Sequence, residues 1–575
     1  MTRLFRHLKP YAWLVAAVLV LVFFQTLSEL YLPTLMSDIV DTGVVEGDTP
    51  YIWKVGLFML LVALGGMACS IGASYFSAKA ASGFGKTLRG KVFSHVSNFS
   101  LEEFDKIGTA SLITRTTNDI TQIQQVLIMM LRMMVMAPMM CIGGIIMAVS
   151  KDATLSLIFI VIMPVLAAAI FLIARKGIPL FKAIQKKIDK LNLVMREGLT
   201  GIRVIRSFNR IDHEKKRFDA ANFDLTDTSI KVNKVMAFMM PIMMLVLNVS
   251  SVAIIWYGGL RIDAGHMQVG DLMAFLQYAM QIMFSLIMVS MMFVMIPRAS
   301  ASAVRINEVL EMEPVIKDTA APASTSGQKG YVEFQNVTFS YPGAEQPAIQ
   351  DISFSAKPGE VTAIIGGTGS GKSTLISLIP RFYDVEEGSV LVDGVDVRDL
   401  PQEELRAKIG FVPQKAVLFT GTIQENIRYG KEDATDEEVW HAAEIAQASD
   451  FIAGMEQGYD SVIAQGGTNV SGGQKQRLSI ARALVRGAEV YIFDDSFSAL
   501  DFKTDAKLRA ALKEETREST VIIVAQRVST VLDADRIIVM NESRIAGIGT
   551  HHELMETCDV YREIVYSQLS EEEIA

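Results

Sequence analysis

The sequence predicts two domains of different fold class, an all-α transmembrane domain followed by an α/β domain. Six long apolar stretches lie within the first 300 of the 575 residues. After residue 330, short apolar runs typical of β-strands begin, and one of them, Val361–Ile365, is followed at once by glycines. The charged residues also divide unequally between the two halves. These three observations indicate a membrane domain first and a water-soluble domain second.

Charge and composition indicate the surroundings of each half. Residues 1–300 carry 29 Lys and Arg against 19 Asp and Glu, and residues 301–575 carry 25 against 44. With 50% hydrophobic and only 20% charged residues, a wholly cytosolic protein is disfavoured, and the net charge of −9 gives no support for nucleic-acid binding. The three cysteines are too few for a disulfide framework or a four-cysteine metal site.

The six apolar stretches are each long enough to cross a bilayer, which takes about 20 helical residues. They cover residues 12–36, 55–78, 126–150, 154–174, 235–260 and 272–297. They lack the alternation of barrel strands, and in lipid only helices and closed barrels satisfy the backbone. We therefore predict six transmembrane helices.

The positive charges between these stretches predict their orientation. Lys and Arg total 24 in the segment before the first stretch and the two long connections, which are residues 1–11, 79–125 and 175–234. The other three connections hold three in total. The positive-inside rule predicts that both termini and the two long connections are cytoplasmic. Connections of this length are unusual as structureless loops, so the helices are predicted to extend beyond the membrane.

Methionines and two ionisable residues stand out within the apolar stretches. Twenty of the 31 methionines lie in 126–150, 235–260 and 272–297, where they either fill ordinary apolar volume or line a deformable cavity for varied apolar molecules. Glu29 and Arg132 are candidates for a functional role, but positions at the membrane interfaces are the favoured explanation.

A change of composition marks a domain boundary. After Pro297 the pattern is polar and helical from Ala303 to Glu313, and a run of small residues at 321–327 has turn composition. We predict the six-helix domain over residues 1–312, a linker over 313–329 with the boundary near 325, and the second domain over 330–575.

A phosphate-binding loop follows the predicted strand Val361–Ile365. The sequence matches G-x-x-x-x-G-K-[ST] and precedes a helical run, Thr374–Ile379, which is the expected context. Backbone N–H groups at such a helix start bind phosphate, the lysine adds positive charge, and the serine hydroxyl is a ligand for Mg²⁺. The predicted nucleotide-binding residues here are Gly366, Gly367, Thr368, Gly369, Ser370, Gly371, Lys372, Ser373 and Thr374.

Further motifs appear later in the second half. Val490–Asp494 is an apolar strand that ends in a carboxylate, the Walker B arrangement that holds Mg²⁺. Tyr341 resembles the aromatic residue that stacks on adenine in ATP-binding cassette (ABC) proteins, Gln414 resembles the glutamine of their Q-loop, and Asp501 the aspartate of their D-loop. The residues that resemble their LSGGQ signature are Ser471, Gly472, Gly473 and Gln474.

With six spans before one cassette, the chain resembles an ABC exporter half-transporter over essentially its whole length. The resemblance implies a multi-domain chain, with a six-helix all-α transmembrane domain of ABC exporter type followed by an α/β P-loop nucleotide-binding domain. ATP and Mg²⁺ are the implied cofactors, and two cassettes are implied to pair head to tail around ATP. Residues 100–119 and 197–208 resemble the inner loops that carry coupling helices. The implied metal-binding residues are Ser373, Gln414 and Asp494.

Two positions depart from the family pattern at one chemical task. Asp495 stands where the family has the glutamate that polarises the attacking water, and Gln526 replaces the switch histidine. A carboxylate misplaced by roughly 1 Å costs about a hundredfold in rate, and glutamine donates a hydrogen bond but carries no charge. The predicted catalytic set, Asp495, Gln526, Gln414 and Asp501, therefore describes a site that binds ATP and hydrolyses it slowly. Gln465, before the signature, replaces a frequent glutamate.

The intact signature and the weakened Walker site favour the degenerate-site subunit of a bacterial heterodimeric multidrug-type exporter. The predicted partner is a second half-transporter that supplies the catalytic glutamate and the switch histidine. The predicted cargo is hydrophobic small molecules, moved across the cell membrane amid membrane lipid. A homodimeric exporter, a lipid flippase and a peptide exporter remain alternatives, whereas the six spans argue against a soluble cassette protein acting on nucleic acid.

Overall fold

The computed structural model describes residues 2–319, 323 and 329–569. It separates into two compact units. The first comprises the residues before Asn98 and residues 109–312, and the second comprises residues 98–108 with the described residues from Glu313 onward. The boundary predicted near residue 325 lies outside the described residues.

The first unit is built of long helices, as the apolar stretches predict. Six helical segments among the described residues are long and apolar enough to cross a membrane. This confirms the predicted six-helix transmembrane domain. The segments are Arg3–Val44, Thr49–Ser97, Thr109–Lys151, Leu155–Thr200, Ile211–Asp263 and Val269–Val289.

The individual helices up to the linker are numbered in chain order. Short 3₁₀ turns at Arg6–Tyr11 and Leu155–Leu157, and π-helical turns at Ile39–Val44 and Arg115–Asp119, join some of them into the longer segments. The α-helices are α1 (Thr2–Phe5), α2 (Ala12–Asp38), α3 (Thr49–Ser97), α4 (Leu101–Ile107), α5 (Thr109–Thr114), α6 (Ile120–Lys151), α7 (Ile158–Thr200), α8 (Ile202–Ser207), α9 (Ile211–Ala237), α10 (Met239–Asp263) and α11 (Val269–Glu311).

The helices extend well beyond their apolar stretches, which confirms the prediction from the long connections. Helix α3 has 49 residues, which at 1.5 Å per residue is about 74 Å, more than twice the thickness of the hydrocarbon layer. Helix α7 runs from Ile158 to Thr200, far beyond the apolar stretch that ends at residue 174. The predicted helix Ala303–Glu313 is the last part of α11, which ends at Glu311.

Helix α11 packs against α6, and an ion pair with a buried carboxylate joins α11 to the π-helical turn that precedes α6. Asp119, directly before α6, has a side chain that is only 3% exposed. Its carboxylate accepts hydrogen bonds from Arg305 Nε at 2.8 Å and Ser302 Oγ at 2.9 Å. A buried carboxylate needs such partners, because removal from water penalises an unpaired charge.

The second unit contains a four-stranded antiparallel sheet, a six-stranded sheet that is parallel except at one edge, and a two-stranded ribbon. Its strands are β1 (Val332–Phe339), β2 (Ile349–Ala356), β3 (Val361–Gly366), β4 (Glu387–Val392), β5 (Val395–Asp396), β6 (Ile409–Val412), β7 (Gly421–Thr422), β8 (Val462–Ile463), β9 (Val490–Asp494), β10 (Thr520–Val524), β11 (Arg536–Asn541) and β12 (Arg544–Gly549).

Helices cover these sheets and bury their apolar faces. They are α12 (Lys372–Ser377), α13 (Gln402–Ala407), α14 (Ile423–Arg428), α15 (Asp436–Ile445), α16 (Ser449–Ala453), α17 (Gly472–Leu484), α18 (Phe502–Glu515), α19 (His551–Thr557) and α20 (Asp559–Gln568). The predicted strands Val361–Ile365 and Val490–Asp494 are confirmed as β3 and β9. The helix predicted over Thr374–Ile379 begins two residues earlier and ends two residues earlier.

The order of the large sheet, β12-β11-β3-β10-β9-β6, positions the functional residues. Strands β3, β10, β9 and β6 are parallel neighbours, so their carboxyl ends lie at one edge. Ligands of open α/β sheets bind at that edge. The phosphate-binding loop, Gln526, Asp495 and Gln414 follow those four strand ends and are therefore brought to the same place.

Candidate nucleotide-binding site

Glycines give the loop between β3 and α12 its shape. A Cβ on Gly371, which has φ of +96°, would lie 2.4 Å from the carbonyl oxygen of Ala348. A Cβ on Gly366 would lie 2.2 Å from that of Met540, so both positions require glycine. By contrast, a Cβ on Gly367 or Gly369 meets no described atom within 4 Å. The loop therefore presents its backbone to open space on one side, where phosphate fits.

Lys372 is held close to this backbone. Its side chain donates hydrogen bonds from Nζ to the carbonyl oxygens of Gly366 at 2.8 Å and Gly367 at 2.7 Å. Burial lowers the pKa of Lys372, and the nearby carboxylates of Asp495 and Asp494 oppose that shift. The ammonium group is thus a positive charge positioned at the loop, as the motif predicts.

Ser373 and Asp494 form a pair suited to a magnesium ion. Ser373 Oγ donates to Asp494 Oδ1 at 3.0 Å. Burial raises the pKa of Asp494, whose residue is only 8% exposed, and this indicates a carboxylate that lacks a full positive counterpart. Mg²⁺ is commonly bound by one or two protein oxygens together with substrate phosphates, so the residues present fit such an ion.

Asp495 lies between two amide side chains. Gln526 Nε2 donates to Asp495 Oδ2 at 2.8 Å, and Gln414 Nε2 donates to the same oxygen at 3.3 Å. Asp495 itself has φ of +45°, a left-handed conformation that few residues other than glycine adopt. The structure thus brings together three of the four residues predicted as the catalytic set.

The fourth, Asp501, has a different set of contacts in this structure. It caps α18, accepting hydrogen bonds from Thr504 N at 3.0 Å and Thr504 Oγ1 at 2.7 Å. These hydrogen bonds lower the pKa of Asp501. No hydrogen bond between Asp501 and Asp495 occurs in the described part of the chain.

Tyr341 lies at the other end of the phosphate loop. Its hydroxyl is 3.0 Å from Thr374 Oγ1 on α12, and the residue is 38% exposed. The ring makes edge-to-face contacts with Phe339 at 5.1 Å and Tyr383 at 5.4 Å between centroids. An exposed ring held by two aromatic neighbours can stack on a nucleotide base.

The signature residues form the start of helix α17. Ser471 is the N-cap, its backbone N–H donates to Gln474 Oε1 at 2.8 Å, and its hydroxyl accepts from Gln474 N at 3.3 Å. The first-turn N–H groups at Gly472 and Gly473 form an anion-binding helix start. Among the described contacts, no hydrogen bond joins this helix start to Lys372 or Asp494. Gln465 begins a 3₁₀ turn before it.

Two residues near the site were missed by the motif analysis. Gln568, at the end of α20, donates from Nε2 to Gln526 O at 2.9 Å and accepts from Val528 N at 2.9 Å. Tyr383 contacts Tyr341 and donates to Asp105 Oδ2 in α4 at 3.4 Å. Both residues contact partners that are distant in the sequence, so no local sequence pattern could have identified them.

Comparison with known proteins identifies the family. Residues 15–286 match the ABC transporter transmembrane region, and residues 349–498 match the ABC transporter family. An uncharacterized ABC transporter ATP-binding protein of Mycobacterium tuberculosis (strain CDC 1551 / Oshkosh) is 45% identical over 98% of this chain and 97% of its own length. An ATP-dependent lipid A-core flippase of Chromobacterium violaceum is 32% identical over 95% and 93%.

A solved structure of a bacterial Atm1-family ABC exporter with ATP bound is also similar. It superposes with a TM-score of 0.81 at 26% identity, covering 97% of this chain and 99% of that one. The matches span both units and include an ATP-binding ATPase domain. The chain belongs to the ABC transporter family, as a membrane-spanning ABC exporter half-transporter in which the transmembrane domain and the ATP-binding cassette share one polypeptide.

Proposed function

We propose that this chain is the degenerate-site subunit of a bacterial heterodimeric ABC exporter. In this proposal the complex uses ATP to move apolar or amphipathic compounds of multidrug type across the cell membrane. The observation that carries the proposal is the contact of Asp495 with two neutral amides, Gln526 and Gln414. Asp495 supplies the carboxylate of a general base, but its side chain is one methylene shorter than that of glutamate. Gln526, at the switch position, carries no positive charge.

The Walker residues suit tight binding of ATP better than its hydrolysis. Lys372 and the N–H groups of the loop neutralise and orient the phosphates, while Tyr341 stacks on the base. Mg²⁺, when bound between Ser373 and Asp494, would supply further charge neutralisation. Phosphoryl transfer also needs a water held in line by a correctly placed group. Here the short Asp495 is bound by side-chain amides that cannot stabilise the developing negative charge as a cation does.

The signature would serve the partner's ATP. Ser471 and the helix start of α17 make an anion site, and no hydrogen bond among the described residues joins it to Lys372 or Asp494 of this chain's own Walker site. In a head-to-tail pair, this site completes the pocket of a partner that carries glutamate and histidine. Closure of the cassettes would reach the membrane helices through residues 100–119 and 197–208, exchanging inward for outward access. Both termini and the long helical extensions are proposed to lie in the cytoplasm.

The test compares the chain alone with the complex purified from its native host. We expect slow ATP hydrolysis by the chain alone and fast hydrolysis when a second half-transporter accompanies it. In the complex, Ser471→Ala should lower the rate at least about tenfold, because the phosphate site of the fast pocket is lost. Thr435→Ala is the matched control, since it removes the same capping box at α15. Fast turnover by a preparation free of any partner would refute the assignment.

Lipid transport is the second candidate, because a relative that is 32% identical is named a lipid A-core flippase. Reconstituted vesicles separate the two candidates. Lipid movement between leaflets without ATP-dependent dye uptake into inverted vesicles would favour the flippase.

A further inference from the structure

Glu103 lies in the first turn of the short helix α4, and its carboxylate is buried. The residue is only 3% exposed, and no ion pair with it occurs in the described part of the chain. Its Oε2 atom accepts hydrogen bonds from the backbone N–H of Ser100 at 2.7 Å and from the Ser100 hydroxyl at 2.5 Å, which form the capping box of α4. A helix start favours negative charge, so the carboxylate is stable there without a cation.

The second carboxylate oxygen of Glu103 has a distant partner. Its Oε1 atom accepts a hydrogen bond from the backbone N–H of Val315 at 3.0 Å, across 212 residues of sequence. Val315 follows α11, precedes the cassette, and lies in neither a helix nor a strand. Because α11 ends at Glu311 and Pro314 disfavours its continuation, the Val315 N–H has no acceptor in a helical turn. Glu103 supplies an acceptor from another part of the chain.

Comparison with the other capping boxes shows that this second contact is unusual. Capping boxes with glutamate also start α14, α15 and α19. Their glutamates are exposed or half-buried, and none of their side chains accepts a described hydrogen bond from a backbone group outside its own box. The box of α17 has Gln474 in the same position, so one acceptor oxygen is enough for the cap alone. The two oxygens of Glu103 therefore do more than cap α4.

Helix α4 depends on such contacts for its position. It has seven residues, and isolated helices of this length are marginal in water. The cassette residue Tyr383 donates to Asp105 of α4 at 3.4 Å, and Glu103 adds the contact with Val315. All four residues belong to the second compact unit. Helix α4 is thus bound both to a side chain of the cassette and to the segment that leads into the cassette.

We propose that Glu103 is a positioning residue that ties α4, in a segment predicted to carry a coupling helix, to the chain between α11 and the cassette. One oxygen stabilises the first turn of α4, and the other holds the Val315 N–H, so α4 and residues 313–315 move as one body. A displacement of the cassette then reaches α4 along the chain as well as through Tyr383. This inference rests on the proposed export function, in which residues 100–119 transmit closure to the membrane helices.

Glu103→Gln separates the Val315 contact from the cap. The amide keeps one acceptor oxygen for Ser100, as Gln474 does for Ser471 in α17, but its nitrogen is a donor and cannot accept from Val315. We expect the Val315 N–H to exchange with solvent at least about tenfold faster in this variant, because a hydrogen bond to a charged group is lost. Hydrogen exchange of the full-length chain, followed by mass spectrometry, measures it.

Transport per ATP hydrolysed, in the complex purified from its native host, shows whether the contact serves coupling. We expect Glu103→Gln to lower this ratio about threefold or more, while ATP affinity changes less than about twofold because no predicted nucleotide-binding residue is altered. A residue that only caps α4 would leave the ratio unchanged. Glu553→Gln is the matched control, since Glu553 completes the capping box of α19 and its side chain accepts no other described hydrogen bond.

The unsubstituted chain provides a measurement that does not depend on how the variants fold. After correction for local sequence, its Val315 N–H should exchange at least about tenfold more slowly than that of Lys317, for which no described residue supplies an acceptor. Equal exchange at these two amides would overturn the inference. Equal Val315 exchange in Glu103→Gln and Glu553→Gln, or faster exchange without loss of transport per ATP, would also overturn it and leave the export function standing. If the unsubstituted complex shows no ATP-driven transport, the export function itself fails.

Discussion

Asp495 shows how much one side chain depends on its neighbours. The carboxylate leaves the sheet edge from a backbone with φ of +45° and is bound through a single oxygen by two amides. The side chain is one methylene shorter than that of glutamate, and the groups that contact its charge are neutral amides. The neighbouring residues therefore decide what a longer carboxylate would gain.

For the Asp495→Glu variant, we expect hydrolysis at this chain's own site to rise by no more than about tenfold. The added methylene restores reach, but Gln526 still provides no charge to the transition state. Adding Gln526→His should raise the rate by about a further tenfold or more. Single-turnover hydrolysis in the assembled exporter, with the partner's site inactivated, measures both. Asp433→Glu is the exposed control, and full recovery from Asp495→Glu alone would contradict our account of the switch position.

Tyr383 connects Tyr341, which is proposed to stack on the nucleotide base, to α4, which lies in a segment predicted to carry a coupling helix. Burial, aided by the negative charge of Asp105, raises the pKa of Tyr383 to about 12. The phenol therefore remains a hydrogen-bond donor at every physiological pH. Because the unfolded chain ionises tyrosine near pH 10, the stability that this group contributes should fall only as pH rises from about 10 to about 12.

Tyr383→Phe should separate nucleotide binding from coupling. The ring still packs against Tyr341, so ATP affinity should change less than about twofold, whereas loss of the hydroxyl frees Asp105 in α4 and should lower transport per ATP hydrolysed. Tyr383→Ala should weaken ATP binding as well, because Tyr341 loses an aromatic neighbour worth about 1 kcal/mol. Nucleotide titration and vesicle transport on the same preparations give both quantities. An identical phenotype in the Phe and Ala variants would contradict this division.

At the scale of elements, α20 supports residues 526–528, which we call the switch segment. Gln568 binds the backbone on both sides of Arg527, as a neighbouring strand would. Two hydrogen bonds from one side chain order the segment that carries Gln526. The end of a helix far along the chain thereby positions a residue next to Asp495.

Removing this contact should be visible at a single amide. In Gln568→Ala we expect the Val528 N–H to exchange with solvent about fivefold to tenfold faster, since one intramolecular hydrogen bond contributes about 1 kcal/mol. Hydrogen exchange followed by mass spectrometry measures it. Ser567→Ala is the control, because Ser567 bonds only within α20. Equal exchange in the two variants would show that the switch segment is held by other contacts.

At the scale of the whole molecule, the distribution of charge predicts which ends face the cytoplasm. In intact cells, a membrane-impermeant thiol reagent should label a cysteine placed at His266, in the short connection between α10 and α11. A cysteine at Lys216 in α9 should react only after the membrane is opened. The unsubstituted chain, with Cys69, Cys141 and Cys558, sets the background. Labelling of position 216 in intact cells would reverse the proposed orientation.

The sequence by itself determined the fold class and located the local motifs of the proposed nucleotide site. Apolar length predicts a membrane helix because lipid leaves the backbone no other partner, and the phosphate loop is a local motif whose glycines, lysine and serine act within a few residues of one another. Walker B is likewise a strand with its terminal carboxylate. These signals are local, so no knowledge of packing was needed to find them.

Only the tertiary structure decided which distant residues meet. The parallel order of β3, β10, β9 and β6 brings Gln526 and Gln414 onto one oxygen of Asp495, although these residues are separated along the chain by whole helices. The contact of Gln568 with the backbone on both sides of Arg527 likewise arises from packing. Side-chain contacts across long sequence separations depend on how the elements assemble, and that information is absent from any single stretch of the chain.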